Sequence, residues 1–133
     1  MIGVSFERLG RIPVARHRGD IDAATAGDLR ERLAEQMSNE APAIVLDLSE
    51  TRYVDSAGLD MLLRFSERLR QRRAEFVLVI PPTSQLVRLA KLVGLYSAMP
   101  VRASLEEALS APALARAAHA PGTSALGAPR AGS

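Results

Sequence analysis

Tyr53-Val54-Asp55-Ser56-Ala57-Gly58-Leu59 is the stretch on which the fold turns. It follows Ala43-Ile44-Val45-Leu46-Asp47-Leu48, the most hydrophobic short run in the first half of the chain. A run so nearly all apolar fits a central strand covered on both faces. After the stretch, Leu59, Leu62, Leu63, Ser66 and Leu69 recur at steps of three and four up to about Arg73, which marks one face of a helix. A buried strand therefore ends, the chain turns through Asp55-Ser56, and a helix begins. Ser56 is placed at the helix N-terminus, where backbone N–H groups without intrahelical partners favour an anion or a hydroxyl cap.

Upstream, residues 4–9 and 12–18 read as two short strands around a turn at Gly10-Arg11. Pro13 lacks a ladder donor and argues for an edge position. Gly19-Asp20-Ile21-Asp22 breaks the second strand. A helix follows from Ala24 or Thr25 to Ser38, on Leu29, Leu33 and Met37. Thr25 with Asp28 resembles a capping box, and Asp22 is a rival cap. Asn39-Glu40-Ala41-Pro42 ends the helix.

Downstream, residues 76–80 form a second buried strand, stopped by Pro81-Pro82. Thr83 or Ser84 caps a third helix carrying Leu86, Leu89, Ala90 and Val93. Gly94 sits where a left-handed C-terminal residue is wanted. Residues 98–101 are a short last strand, and Ser104 caps a final helix with Leu105, Ala108 and Leu109. The order ββαβαβαβα implies a single small α/β domain over residues 1–110. Its expected sheet is mixed but mostly parallel, with helices packed mainly on one face. From residue 111 the composition shifts to Ala, Pro, Gly and Ser. Residues 111–133 read as a tail, in which 113–119 can extend the last helix and the part beyond 120 is disordered for want of apolar surface.

Composition narrows the function. The chain has no Cys, which removes disulfides, thiolate chemistry and Cys-ligated zinc. The formal charge is only +2, with a single lysine, Lys91, and Arg interspersed with Asp and Glu. That gives little long-range attraction for nucleic acid. The Arg64, Arg68 and Arg72 stripe reads as a solvated helix face with Asp60 and Glu67 as neighbours. No apolar run suits a signal peptide or a membrane span, so the expected location is the cytoplasm. His17 and His119 lack ligand-like spacing for a metal. A Ser56–His17–Asp hydrolase lacks the Gly-x-Ser-x-Gly elbow, and no phosphate-cradling glycine loop is present.

Four segments come in the order and spacing of one family: Gly19-Asp20-Ile21-Asp22, the strand 44–48, Val54-Asp55-Ser56-Ala57-Gly58-Leu59, and Lys91-Leu92-Val93-Gly94-Leu95. From about Val4 to Leu109 the chain resembles a STAS domain, in particular the bacterial anti-sigma factor antagonists. The resemblance implies a non-catalytic switch without a cofactor of its own. Ser56 would accept a phosphate from an anti-sigma factor that is also a serine kinase, with ATP and magnesium belonging to the kinase. A serine phosphatase would restore the free hydroxyl. Asp20, Asp22, Asp55, Ala57, Gly58 and Leu59 would form the docking face. Thr83 and Ser84 are capping residues that could also line its rim. Asp55 has two readings, helix cap or orienter of the Ser56 hydroxyl. Gly58 is read as a site of close backbone approach, since glycine in a first helical turn otherwise costs about 1 kcal/mol. Two other classes remain: an accessory subunit of a signalling scaffold or lipid transporter, and a small nucleotide-binding module.

Overall fold

A two-residue turn sets the first strand pair. β1 (Gly3–Leu9) and β2 (Ile12–Arg18) are antiparallel, with Leu9 opposite Ile12 across Gly10-Arg11. Gly10 has φ +60° while Arg11 does not enter positive φ. Glycine at the first central position is what a type II′ hairpin turn demands. The computed structural model describes residues 3–38 and 40–120.

The remaining strands are β3 (Ala43–Glu50), β4 (Glu75–Val79) and β5 (Val101–Arg102). The sheet runs β1-β2-β3-β4-β5, and every pairing from β2 onward is parallel. The helices are α1 (Ala26–Gln36), α2 (Ser56–Gln71), α3 (Leu86–Leu92), α4 (Leu95–Ala98), α5 (Leu105–Ala108) and α6 (Pro112–Ala118). Parallel strands need crossovers, and α1, α2 and the α3–α4 pair supply them. Gly94, at φ +71°, divides α3 from α4 in the left-handed conformation expected of it.

The edge position expected from Pro13 is overturned, because β2 lies between β1 and β3. The β2–β3 ladder begins at Val14, one residue later, so the missing N–H deprives no partner strand. The sequence order also understates the helices, since two short ones stand where one was expected after β4, and α6 follows α5.

Both sheet faces are covered, which explains the nearly all-apolar run of β3. On one face Leu29 and Leu33 of α1, Met61, Leu62, Phe65 and Leu69 of α2, and Leu86 and Ala90 of α3 pack on Ala15, Ile44, Leu46, Phe76 and Leu78. Phe65 meets Phe76 edge to face, with ring centroids 4.9 Å apart. On the other face Ile12, Val14, Ala43, Val45, Val77 and Val79 pack under Ala108, Leu114 and Ala117. The one acid within the apolar run, Asp47, lies 3.1 Å from Arg16 Nε and accepts a bond from the Ser49 N–H at 2.9 Å.

Residues 112–118, assigned to the tail on composition with 113–119 allowed as an extension of the last helix, form a separate helix seated on the sheet. The Arg11 N–H donates to the Ala117 carbonyl at 2.9 Å, and a Cβ on Gly10 would lie 2.1 Å from that oxygen. The segment expected to be disordered, beyond 120, lies outside the described residues. Leu114 is buried, so Leu114→Ala should lower stability by about 2 kcal/mol or more. Urea denaturation of the full chain measures it, and an unchanged midpoint would mean that α6 is not held to the sheet. Among the described residues no helix is long and apolar enough to cross a membrane.

Candidate functional site

The carboxyl ends of β2 and β3 carry the site, where open parallel sheets commonly place theirs. Gly19, at φ +102°, turns the chain out of β2. Ile21 then forms a parallel bridge with Val54. Its N–H donates to the Tyr53 carbonyl at 3.0 Å, and its carbonyl accepts from the Asp55 N–H at 3.1 Å. This pair of bonds lays the Asp20–Asp22 loop beside the loop that leads into α2.

Asp55 caps α2. One carboxylate oxygen accepts the Gly58 N–H at 2.8 Å, and the other accepts the Ala23 N–H at 3.2 Å, tying the two loops together. The sequence placed Ser56 and Asp55 as rival caps, and the geometry resolves this in favour of Asp55. Ser56 is the first helical residue, exposed and relieved of the capping bond. The N–H groups of Ser56 and Ala57 precede the first intrahelical bond, which runs from the Leu59 N–H to the Asp55 carbonyl at 2.8 Å.

Gly58 is buried against the other loop. A Cβ there would lie 2.6 Å from the Ile21 carbonyl oxygen and 2.9 Å from Val54 Cγ1. The close approach read from the sequence is therefore to the chain's own backbone. Ala57 is half-exposed, and Leu59 is partly buried against the core.

Asp22 is occupied structurally. Its carboxylate accepts from the Ala24 and Thr25 N–H groups at 3.0 and 3.1 Å and from the Thr25 hydroxyl at 3.1 Å. The capping box expected between Thr25 and Asp28 does not form; Asp28 pairs with Arg32 at 3.1 Å. Asp20 is exposed, and its carbonyl lies 3.2 Å from Nε2 of the buried His17, whose Nδ1 has no partner. Ser84 caps the start of α3 through the Leu86 N–H at 3.0 Å, while Thr83 is exposed.

Sequence reasoning quoted Tyr53 only as part of the turn stretch and gave no role to the outer faces of α3 and α4. Tyr53 is 55% exposed, two residues before Asp55, with its backbone pinned by Ile21. Leu92 is 78% exposed, and Val93 and Tyr96 are also open to solvent; Leu63, read with the apolar face of α2, is exposed too, and Met61 and Phe65 take the buried face instead. An aromatic beside the Asp-Ser pair was the signal for Tyr53; exposure of the others depends on packing. Of the arginine stripe of α2, Arg64 pairs with Asp60 at 2.7 Å and Arg72 donates to the Ser38 carbonyl at 3.0 Å, while Arg70, off the stripe, pairs with Glu67. Among the described residues no group of three acids or histidines is placed to hold a metal.

Removing the cap tests this construction. Asp55→Ala should cost about 1–2 kcal/mol, while Asp55→Asn, which keeps an acceptor at Oδ1, should cost much less. Chemical denaturation compares them, and equal losses would refute the capping role.

A five-stranded sheet ending in this paired-loop turn is matched along nearly its whole length, since residues 4–108 fit the STAS domain family. The chain belongs to that family. This STAS domain is 38% identical over 77 residues to the anti-sigma-B factor antagonist of Listeria monocytogenes, covering 58% of this chain and 67% of that protein. It is 30% identical over 110 residues to BtrV of Bordetella bronchiseptica, covering 81% of this chain and 92% of that protein. Among solved structures, an anti-sigma factor antagonist from Mycobacterium paratuberculosis superposes on the STAS domain with a TM-score of 0.72 at 28% identity, over 83% of this chain and 92% of that one.

Proposed function

We propose that this STAS domain is an anti-sigma factor antagonist whose binding is switched off by phosphorylation of Ser56. In the unmodified form it docks on an anti-sigma factor with serine kinase activity, and the sigma factor is released. The kinase then transfers phosphate to the Ser56 hydroxyl, the complex parts, and a serine phosphatase resets the domain. ATP and magnesium belong to the kinase, and the cycle runs in the cytoplasm, where transcription occurs.

One observation carries this reading: Ser56 stands exposed at the first turn of α2 while Asp55 performs the capping. A hydroxyl that is not needed to hold the helix can be esterified without unfolding it. The phosphate brings about −1.5 to −2 charges next to free helix N–H groups, which tolerate an anion. Asp20, Asp22, Asp55, Ala57 and the half-covered Leu59 supply the surrounding docking surface, with Tyr53 as an exposed aromatic at its margin. Gly58 contributes by letting the two loops meet.

The test is phosphotransfer. The cognate anti-sigma kinase with ATP should add one phosphate to the wild-type chain and none to Ser56→Ala, read by intact mass. Equal phosphorylation of the two proteins would overturn the assignment.

A further inference from the structure

Among the described residues β1 is the long open margin of the sheet. β5 closes the opposite margin with two residues, whereas β1 runs from Gly3 to Leu9 without a proline. The hairpin decides which backbone groups of β1 are free. Leu9 and Ile12 flank a two-residue turn and exchange hydrogen bonds, so by antiparallel alternation Gly3, Ser5 and Glu7 also bond toward β2. Val4, Phe6 and Arg8 therefore aim their N–H and C=O groups outward. The far side of β2 agrees with this phase, since the carbonyl of His17, opposite Val4, accepts the Thr51 hydroxyl beyond the end of β3 at 3.1 Å.

We propose that β1 pairs antiparallel with β1 of a second copy of this chain, about a two-fold axis at Phe6. The sequence of the strand selects that register. It pairs the whole strand, sets Ser5 of each copy opposite Glu7 of the other, and sets Val4 opposite Arg8. Ser5 and Glu7 are exposed on the same side, so each serine hydroxyl can donate to the facing carboxylate. The Arg8 stem covers Val4 of the other copy while its guanidinium keeps to the Gln36 carbonyl, 3.4 Å away. An axis at Glu7 would bring two carboxylates face to face, which is unfavourable. An axis at Ser5 would leave Arg8 and Leu9 without a facing residue among the described ones. One strand pair buries far less than a permanent dimer requires, so the association is weak and reversible. β2 separates β1 from β3 and α2, so Ser56 stays open in the dimer whether or not it is phosphorylated.

The absence of Cys makes the register testable by single-cysteine variants. In the proposed ladder positions 5 and 7 of opposite copies form a non-hydrogen-bonded pair with Cα atoms about 4.5 Å apart. That lies within disulfide reach, roughly 4.4–6.8 Å. An equimolar mixture of Ser5→Cys and Glu7→Cys should oxidise to a crossed dimer at least about tenfold faster than either variant alone. Sedimentation equilibrium of the full wild-type chain should show a concentration-dependent monomer–dimer equilibrium. Arg8→Pro removes an outward N–H from each copy without touching a β2 bond, and should weaken that equilibrium about tenfold. A wild-type chain that stays monomeric up to millimolar concentration, or cross-linking equally fast in the mixture and in Ser5→Cys alone, would overturn the proposal.

Discussion

Gly58→Ala should lose about 1–3 kcal/mol of stability, although alanine is the better helix former by about 1 kcal/mol. The sign follows from the contacts. The added methyl would sit 2.6 Å from the Ile21 carbonyl oxygen and 2.8 Å from Ile21 Cγ2, with Val54 Cγ1 at 2.9 Å on its other side. Backbone cannot swing away as a flexible side chain can. Ile21 is fully buried and its carbonyl is held by the Asp55 N–H, so relief requires parting the Ile21–Val54 bridge. The damage therefore falls on the juncture that sets the Asp20–Asp22 loop beside the loop leading into α2, and phosphate acceptance at Ser56 should fall together with stability. Urea titration and the kinase assay on one preparation check both. A Gly58→Ala protein as stable as wild type, or more so, would show that propensity decides at this position and that the loops are not tightly packed.

Ser56→Asp should bind the anti-sigma kinase at least about 100-fold more weakly, while its own stability changes by no more than about 1 kcal/mol. The two effects separate because the same charge meets two environments. In the free domain the carboxylate faces water and the N-terminal end of α2, a favourable place for an anion. On the proposed docking face it would be desolvated in the company of Asp20, Asp22 and Asp55. Ser56→Ala removes only an oxygen and should keep binding near the wild-type level. Calorimetric titration of the three proteins decides the matter, and undiminished binding by Ser56→Asp would remove the physical basis of the switch.

The parallel sheet and the position of its central strand were legible because apolar runs and helical periodicity are strong local signals. Ala43 to Leu48 and the Leu59 face of α2 carried most of that reading. The ends of elements were less so. Asp55 and Ser56 are both good N-caps, and in the fold it is Asp55 that takes the Gly58 N–H while its other oxygen meets Ala23. Pro13 suggested an edge because sequence does not tell where a neighbouring ladder begins. α6 was missed as a packed element since Leu114 is its one large apolar residue, and its burial rests on the sheet face that α5 leaves bare. The approach of Gly58 to Ile21 joins segments far apart in the chain, and the glycine hinted at it without naming the neighbour.

The family match stops at residue 108, yet Leu114 and Ala117 lie beyond it. Anyone excising this domain for expression or fusion at the homology boundary would strip the roof from Ile12, Val14 and Val45 and leave a greasy panel in water. Such a fragment should clump, and a cut placed after His119 should yield tractable protein.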